Sequence, residues 1–300
     1  MLHFLNLIRW KNLLIIILTQ YLIKYTLFIS SNIPTTLRGY EFMLLVFATI
    51  SIAASGNIIN DIFDIETDEI NKPKKVIINR FISKKLACGY YLLLSFIGVC
   101  IGIYLSNLIG SFQLSLVFIA ASILLYFYSF RLKQTFLIGN IIVSLLVALS
   151  IIIIGLFEIS STNKDIQITT FRIIIHYSFF AFSINLLREI VKDLQDVKGD
   201  YNSKMQTLPI ILGRARSTKV VFSLSILFIF FIIYYVVANF LEQWIAIIYF
   251  LVFVIIPLLY FAFKIFHAET KEEFKTLSTI LKLVMLTGLL SLLLYPLVLN

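Results

Sequence analysis

Two short stretches concentrate the residues able to do chemistry. One reads Asn60-Asp61-Ile62-Phe63-Asp64-Ile65-Glu66-Thr67-Asp68, the other Asp193-Leu194-Gln195-Asp196-Val197-Lys198-Gly199-Asp200. Each sets three aspartates at i, i+3 and i+7, which on a helix stacks them along one face over two turns. Charges stacked this way repel, and a divalent cation relieves the repulsion. A solvated loop has no need of helical phase, still less of repeating it. The spacing is not that of an EF-hand, whose acids recur at every second position. Hard carboxylate oxygens suit Mg2+, which takes a few protein ligands and lets phosphate oxygens and water complete its octahedron. Lys72, Lys75, Arg80, Lys192 and Lys204 flank the motifs and are available to hold further phosphate oxygens. The chemistry requested is a diphosphate bound through Mg2+, a group that departs readily once its charge is neutralised and leaves an electrophile behind.

Composition says what surrounds these motifs. Of 300 residues, 60% are hydrophobic and 14% charged, against about 25% charged in soluble domains. With a mean hydropathy of +0.98, 28 Phe and 15 Tyr, there is too little polar surface to cover a water-soluble globule. Disorder, a collagen-like chain and a disulfide scaffold are excluded by high hydrophobicity and scarce Pro, Gly and Cys. The two cysteines, Cys88 and Cys100, fall in one apolar run; on a helix they are about 18 Å apart, beyond disulfide reach. The net charge of +9 sits on no soluble basic domain, so it bears on membrane topology before nucleic acid. A diphosphate ligand in such a chain carries an apolar tail lying in the membrane.

Runs of roughly 20 apolar residues, enough to span a bilayer, occur near Leu13–Ile29, Phe42–Ile59, Leu86–Ser106, Leu114–Phe130, Leu137–Phe157, Phe171–Leu187, Val220–Phe240, Trp244–Phe263 and Thr279–Val298. The first follows Arg9-Trp10-Lys11, but no small-residue cleavage site follows it and Lys24 interrupts it, so it reads as a retained span. With intervening segments alternating sides, 20 of the 25 Lys and Arg fall on one side, which the positive-inside bias makes cytoplasmic. The expectation is an all-α, multi-pass protein of the cell inner (plasma) membrane: nine transmembrane helices around a central cavity, one domain over residues 1–300, the N terminus cytoplasmic. Two cytoplasmic segments, about 60–85 and 188–219, are long and hold nine of the sixteen acidic residues. They follow the second and sixth spans. Their motifs therefore point the same way and face each other across one cavity, which suggests an internal repeat of four spans.

Asn60-Asp61-x-x-Asp64-x-x-x-Asp68 followed by Ile70-Asn71-Lys72-Pro73 resembles the first signature of the UbiA superfamily of intramembrane prenyltransferases. Arg188-Glu189-x-x-Lys192-Asp193-x-x-Asp196-x-x-Gly199-Asp200, followed by Thr207-Leu208-Pro209 and Gly213, resembles its second. Tyr128-Ser129-x-Arg131-Leu132-Lys133 with Gly139-Asn140 is similar to the family's connection between the fourth and fifth spans. Ile184-Asn185-x-x-Arg188-Glu189 and the opening Arg9-x-x-Asn12 resemble most the branch that prenylates geranylgeranylglyceryl phosphate. One stretch departs from the pattern. After Pro73 such proteins often carry an Asp-Arg-Pro run ending in Ser-Gly-Arg, whereas here Lys74-Lys75-Val76 leads to Ile78-Asn79-Arg80, with basic residues kept at Lys75 and Arg80.

The resemblance implies a Mg2+-dependent transferase. Asn60, Asp64 and Asp68 on one side and Asp196 and Asp200 on the other hold metal that grips the diphosphate of an allylic prenyl donor, with Asp61 and Asp193 at or beside the metal. Asp64, Asp68, Asp196 and Asp200 are the catalytic set. The C1–O bond ionises and an acceptor nucleophile takes the cation. Arg9, Asn60, Arg80, Arg131, Lys133 and Lys192 contact substrate, and the Tyr128 ring face stabilises the cation. The implied partners are a prenyl donor, geranylgeranyl first, and a hydrophobic acceptor in membrane lipid. Geranylgeranylglyceryl phosphate ranks before an aromatic acceptor of quinone synthesis; neither nucleic acid nor a protein partner follows. Outside the enzyme class stands a cation-coupled transporter, disfavoured because transport sites lie near the midplane on broken helices. A CDP-alcohol phosphotransferase lacks its glycine and Ala-Arg positions here. His3, His176 and His267 are scattered and make no metal triad, while Lys24 and Lys282 interrupt spans, where charge is costly unless the stem snorkels.

Overall fold

The computed structural model describes residues 2–31, 34–159 and 164–298. Among them no β-strand forms, and only two isolated bridges occur, Thr35 to Ile159 and Ile78 to Ile82. The helices are α1 (Leu2–Leu7), α2 (Trp10–Leu22), α3 (Gly39–Phe63), α4 (Ile65–Asn71), α5 (Lys84–Leu108), α6 (Ser115–Phe130), α7 (Ile138–Glu158) and α8 (Lys164–Asn202). They continue as α9 (Leu208–Leu212), α10 (Arg214–Phe240), α11 (Trp244–Phe250), α12 (Ile256–His267), α13 (Lys271–Leu290) and α14 (Tyr295–Val298). Leu251–Ile255 joins α11 to α12 as a π-helix.

Among the described residues, eight helices are long and apolar enough to cross a membrane, one fewer than the nine expected. The difference is the first, Leu13–Ile29. That stretch is helical, but α2 gives way to a π-helix over Ile23–Phe28, with Gln20 and Lys24 turned inward and buried. Lys24 is satisfied there and Gln20 through its nitrogen alone: Gln20 Nε2 donates to the Ser150 carbonyl at 2.8 Å while its Oε1 accepts nothing, and Lys24 Nζ donates to the Leu37 carbonyl at 2.8 Å and to Glu158 at 2.5 Å. Glu158 Oε2 accepts from the Leu37 amide at 3.1 Å. A buried charge is tolerated only when paired and hydrogen-bonded in this way.

The two central helices carry the motifs. In α3 and α8, 61% of the most apolar stretch is buried within the protein, against 17% in α5, which therefore faces lipid. Helix α8 packs against α7, α10 and α13, and α3 against α5 and α6. The segments expected as loops begin as helix, because the apolar face of α8 continues past the span: Ile190, Val191 and Leu194 are fully buried. The two motif ends are not alike, so the expected four-span repeat does not extend to them. Helix α3 stops at Phe63 and the chain bends at Asp64 (φ −92°, ψ 3°) before α4, whereas α8 runs unbroken through Asp200.

Candidate active site

The bend at Asp64 lays α4 against α8. Asn71, the last residue of α4, accepts from the Gly199 amide through Oδ1 at 2.8 Å, and the Thr67 and Ser203 hydroxyls pair at 2.8 Å. Gly199 is required by this approach, since a β-carbon there would fall 2.3 Å from Asn71 Nδ2. Lys271, at the start of α13, donates to the Asn71 carbonyl at 2.7 Å. The two aspartate motifs are thus clasped side by side over one cavity of about 980 Å³.

Arg9, Asn60, Asp61, Asp64, Asp68, Tyr128, Lys133, Lys192, Asp193, Asp196 and Asp200 all line that cavity. Two residues expected there do not. Arg80 is exposed and donates to the Pro73 carbonyl at 2.7 Å, and Arg131 is exposed at the end of α6. Of the basic residues flanking the motifs, Lys72 and Lys75 reach the cavity and Lys204 does not. Asn12, Asn140, Arg188, Glu189 and Lys282 line it as well, although none stood among the candidates. The spacing carried part of the signal: Arg188, Lys192, Asp196 and Asp200 recur every four residues and so share one face of α8. Nothing in sequence joined Asn12 to Lys282, which meet at 2.9 Å from opposite ends of the chain.

Several carboxylates are held by protein donors. Arg9 pairs with Asp61 at 2.7 Å, Lys133 with Asp64 at 2.5 Å, and Lys72 with Asp196. Asn140 Nδ2 donates to Asp193 at 2.8 Å and Asn60 Nδ2 to Asp64 at 2.8 Å. Buried Asn60 Oδ1 and Asp196 Oδ1 accept nothing from the protein. They are acceptors on facing motifs, the donor set a hard divalent cation takes. Among the described residues no three His, Cys, Asp or Glu side chains converge closely enough to hold a metal by themselves. The residues fit Mg2+ as two facing banks of oxygen ligands that leave positions for phosphate, not as a closed cage. Burial raises the Asp68 carboxyl to about 6. For Lys72 burial pulls downward, but the Asp196 and Asp68 carboxylates together outweigh it and the net shift is upward. The charge of Asp61 raises Arg9.

A second, apolar chamber of about 220 Å³ opens from the same place. Arg9, Asn12, Asn60, Tyr128, Arg188, Glu189 and Lys192 border both spaces. Beyond them the walls are mostly apolar: Leu13 and Ile16 of α2, Ile52 and Ala53 of α3, Leu125 and Phe118 of α6, Val147 and Ile153 of α7. From Asn60 to Thr49 the chamber follows eleven residues of α3, a depth of about 16 Å. A charged head and an apolar tail thus have adjoining compartments, with Tyr128 at the junction.

The chain matches the UbiA prenyltransferase family over residues 15–286. It belongs to that family. It is 31% identical over 256 residues to the digeranylgeranylglyceryl phosphate synthase of Methanosphaera stadtmanae, covering 84% of this chain and 87% of that one. The enzyme of the same name from Korarchaeum cryptofilum is 35% identical over 248 residues, 82% of each chain. Among solved structures, a digeranylgeranylglyceryl phosphate synthase superposes with a TM-score of 0.65 at 25% identity over 98% of this chain and 97% of that one. A UbiA homologue of Archaeoglobus fulgidus, solved with DMAPP and Mg2+, shares the fold with a TM-score of 0.57 at 17% identity over 96% and 98%. This UbiA protein is therefore an integral-membrane prenyltransferase.

Proposed function

We propose that this UbiA enzyme transfers a geranylgeranyl group from its allylic diphosphate to geranylgeranylglyceryl phosphate with Mg2+. The observation that carries the reading is the continuity of a two-bank carboxylate site with an apolar chamber whose junction holds Tyr128. Asn60, Asp64, Asp68, Asp196 and Asp200 hold the metal, and Asp61 and Asp193, each fixed by a protein donor, brace the two banks. Bound there, Mg2+ neutralises the leaving diphosphate. Lys72 and Lys133, which reach Asp196 and Asp64, are within range of phosphate oxygens beside the same carboxylates. The donor C1–O bond breaks with its electron pair going to diphosphate. The acceptor hydroxyl oxygen bonds C1 and passes its proton to the released diphosphate. The Tyr128 ring faces the allylic cation between these events, and the mostly apolar walls exclude water that would otherwise capture it. Relatives of about this length carry the corresponding name, and a relative binds a prenyl diphosphate with Mg2+.

Incubation of the purified protein with geranylgeranyl diphosphate and Mg2+, in turn with geranylgeranylglyceryl phosphate and with an aromatic quinone precursor, should give the ether product with the first alone. Product with the aromatic acceptor alone overturns the acceptor assignment, and no product with either overturns the reading. Asp64→Asn and Asp196→Asn should each lower turnover by about 10²- to 10³-fold, as removal of a charge-stabilising group does. The skew of Lys and Arg supports a site on the cytoplasmic side of the membrane, the plasma membrane in this reading. A Tyr201→Cys variant, at a position 72% exposed, should label only from that side.

A further inference from the structure

The boundary between the head cavity and the apolar chamber is cationic where α2, α8 and α13 meet. Lys282 of α13 donates to Asn12 Oδ1 at 2.9 Å, and the charges of Arg188 and Lys11 bear on it. Those of Arg188 and Arg9 bear on Lys192. Two carboxylates answer these five cations: Asp61 with Arg9 at 2.7 Å, and Glu189 with Lys192 at 2.5 Å and Arg188 at 3.7 Å. Among the described residues Lys11 and Lys282 make no ion pair, Arg188 and Lys192 share the one carboxylate of Glu189, and the buried Nε of Arg188 has no acceptor. Like charges gathered in a partly dry corner, with a donor left over, ask for an anion.

The second carboxylate bank, which grips the donor's diphosphate in this reading, lies further along α8. Arg188 stands eight residues before Asp196 on one helix, about 12 Å along its axis. Four bonds of about 1.5 Å link a prenyl C1 to its outer phosphorus, and four more link a glyceryl hydroxyl oxygen to the phosphorus of its own ester. With about 3–3.5 Å between attacking oxygen and C1, the two anionic centres are on the order of 12 Å apart. Resting on the prenyltransferase reading above, we propose that Arg188 and Lys282, with Asn12 orienting the lysine, form a second anion subsite for the phosphate monoester of a lipid acceptor. Lys192 stands between this subsite and the diphosphate site. The subsite selects a phosphorylated lipid alcohol over the same alcohol without phosphate, and it gives Lys282 a reason to interrupt the otherwise uncharged stretch 276–290 of α13.

The test is equilibrium binding to the full chain in detergent, with EDTA and no donor, comparing geranylgeranylglyceryl phosphate with geranylgeranylglycerol. The wild type should prefer the phosphate form by at least tenfold. Lys282→Met should erase about tenfold of that preference, Lys282→Arg should keep most of it, and Asn12→Ala should weaken it. Affinity for geranylgeranyl diphosphate with Mg2+, measured separately, should stay within twofold in Lys282→Met, which also shows that the variant is folded. Equal binding of the two alcohols by the wild type overturns the subsite, as does an unchanged preference in Lys282→Met or an equal loss of donor affinity. If the wild type prenylates the phosphate lipid while Lys282→Met keeps its preference, the subsite falls and the function stands. If it binds neither alcohol and prenylates an aromatic acceptor, both fall.

Discussion

Substituting Gly199 by alanine isolates what holds the two aspartate banks together. The new β-carbon would lie 2.3 Å from Asn71 Nδ2 and 2.5 Å from Cγ. Non-bonded carbons settle at about 3.5 Å, so Asn71 must withdraw by about 1 Å, drawing on α4 and on Asp68 three residues earlier. Its hydrogen bond to the Gly199 amide is lost, worth about 0.5–1.5 kcal/mol. Alanine in place of glycine inside a helix returns about 1 kcal/mol. The two terms nearly cancel, so thermal unfolding of the purified variant should occur within a few degrees of wild type. Catalysis has no such compensation, because a misplacement of about 1 Å costs on the order of 10²-fold. The assay is kcat/KM for geranylgeranyl diphosphate at saturating Mg2+, alongside the melting curve in the same detergent. Full activity in Gly199→Ala refutes the clasp, and a loss matched by collapse of the melting transition refutes its catalytic role. Adding Asn71→Ala removes the obstructing atoms, so the double variant should turn over faster than Gly199→Ala alone, a coupling that independent sites do not show.

Three further outcomes follow from the same geometry. With Asp68 raised to about 6 by burial, a proton occupies it below that pH and must leave before the carboxylate can bind metal. Burial raises Asp200, on the facing bank, to about 7, so the Mg2+ concentration for half-maximal activity should begin to climb as pH falls through 7 and steepen below pH 6, where Asp68 adds a second proton; a flat profile from pH 7 to 5 excludes Asp68 as a ligand. Lys24→Met strands Glu158, which is fully buried, and breaking such a pair costs about 3–5 kcal/mol. A marked fall in melting temperature is expected, largely reversed by adding Glu158→Leu, and a silent single variant counts against the pair. Gly56 lines the apolar chamber four residues from Asn60, about 6 Å below the mouth, and its β-carbon would already meet Leu125 at 2.7 Å. Gly56→Leu should raise KM for geranylgeranyl diphosphate more than tenfold while sparing dimethylallyl diphosphate, and equal effects on both would show that the tail does not run there.

The parts legible in sequence are those written in local periodicity. Apolar runs of spanning length, the i, i+3, i+7 aspartates and the skew of Lys and Arg each depend on residues close along the chain, and eight of the nine expected spans have the length and hydropathy to cross a membrane. The first span was harder to read because its polar residues are answered from far away, Gln20 by Ser150 and Lys24 by Glu158. Arg80 sits near the first motif in sequence yet folds back on Pro73, so proximity along the chain was a poor guide to the cavity. Glu189 and Asn140 belong to stretches already singled out, but their roles rest on the partners they meet, Lys192 and Asp193.

By itself the sequence determined the solvent, the helical class, the two helically phased aspartate motifs and the family, because each follows from residue type and spacing within one or two turns. The tertiary structure alone decided which cations reach the site and that the first motif bends at Asp64 while the second does not. It also brought Asn71 onto Gly199 and Lys282 onto Asn12. Those pairings are contacts between residues 128 and 270 positions apart. They exist only once helices have packed, since it is packing that brings a donor and an acceptor remote in the chain within hydrogen-bonding distance.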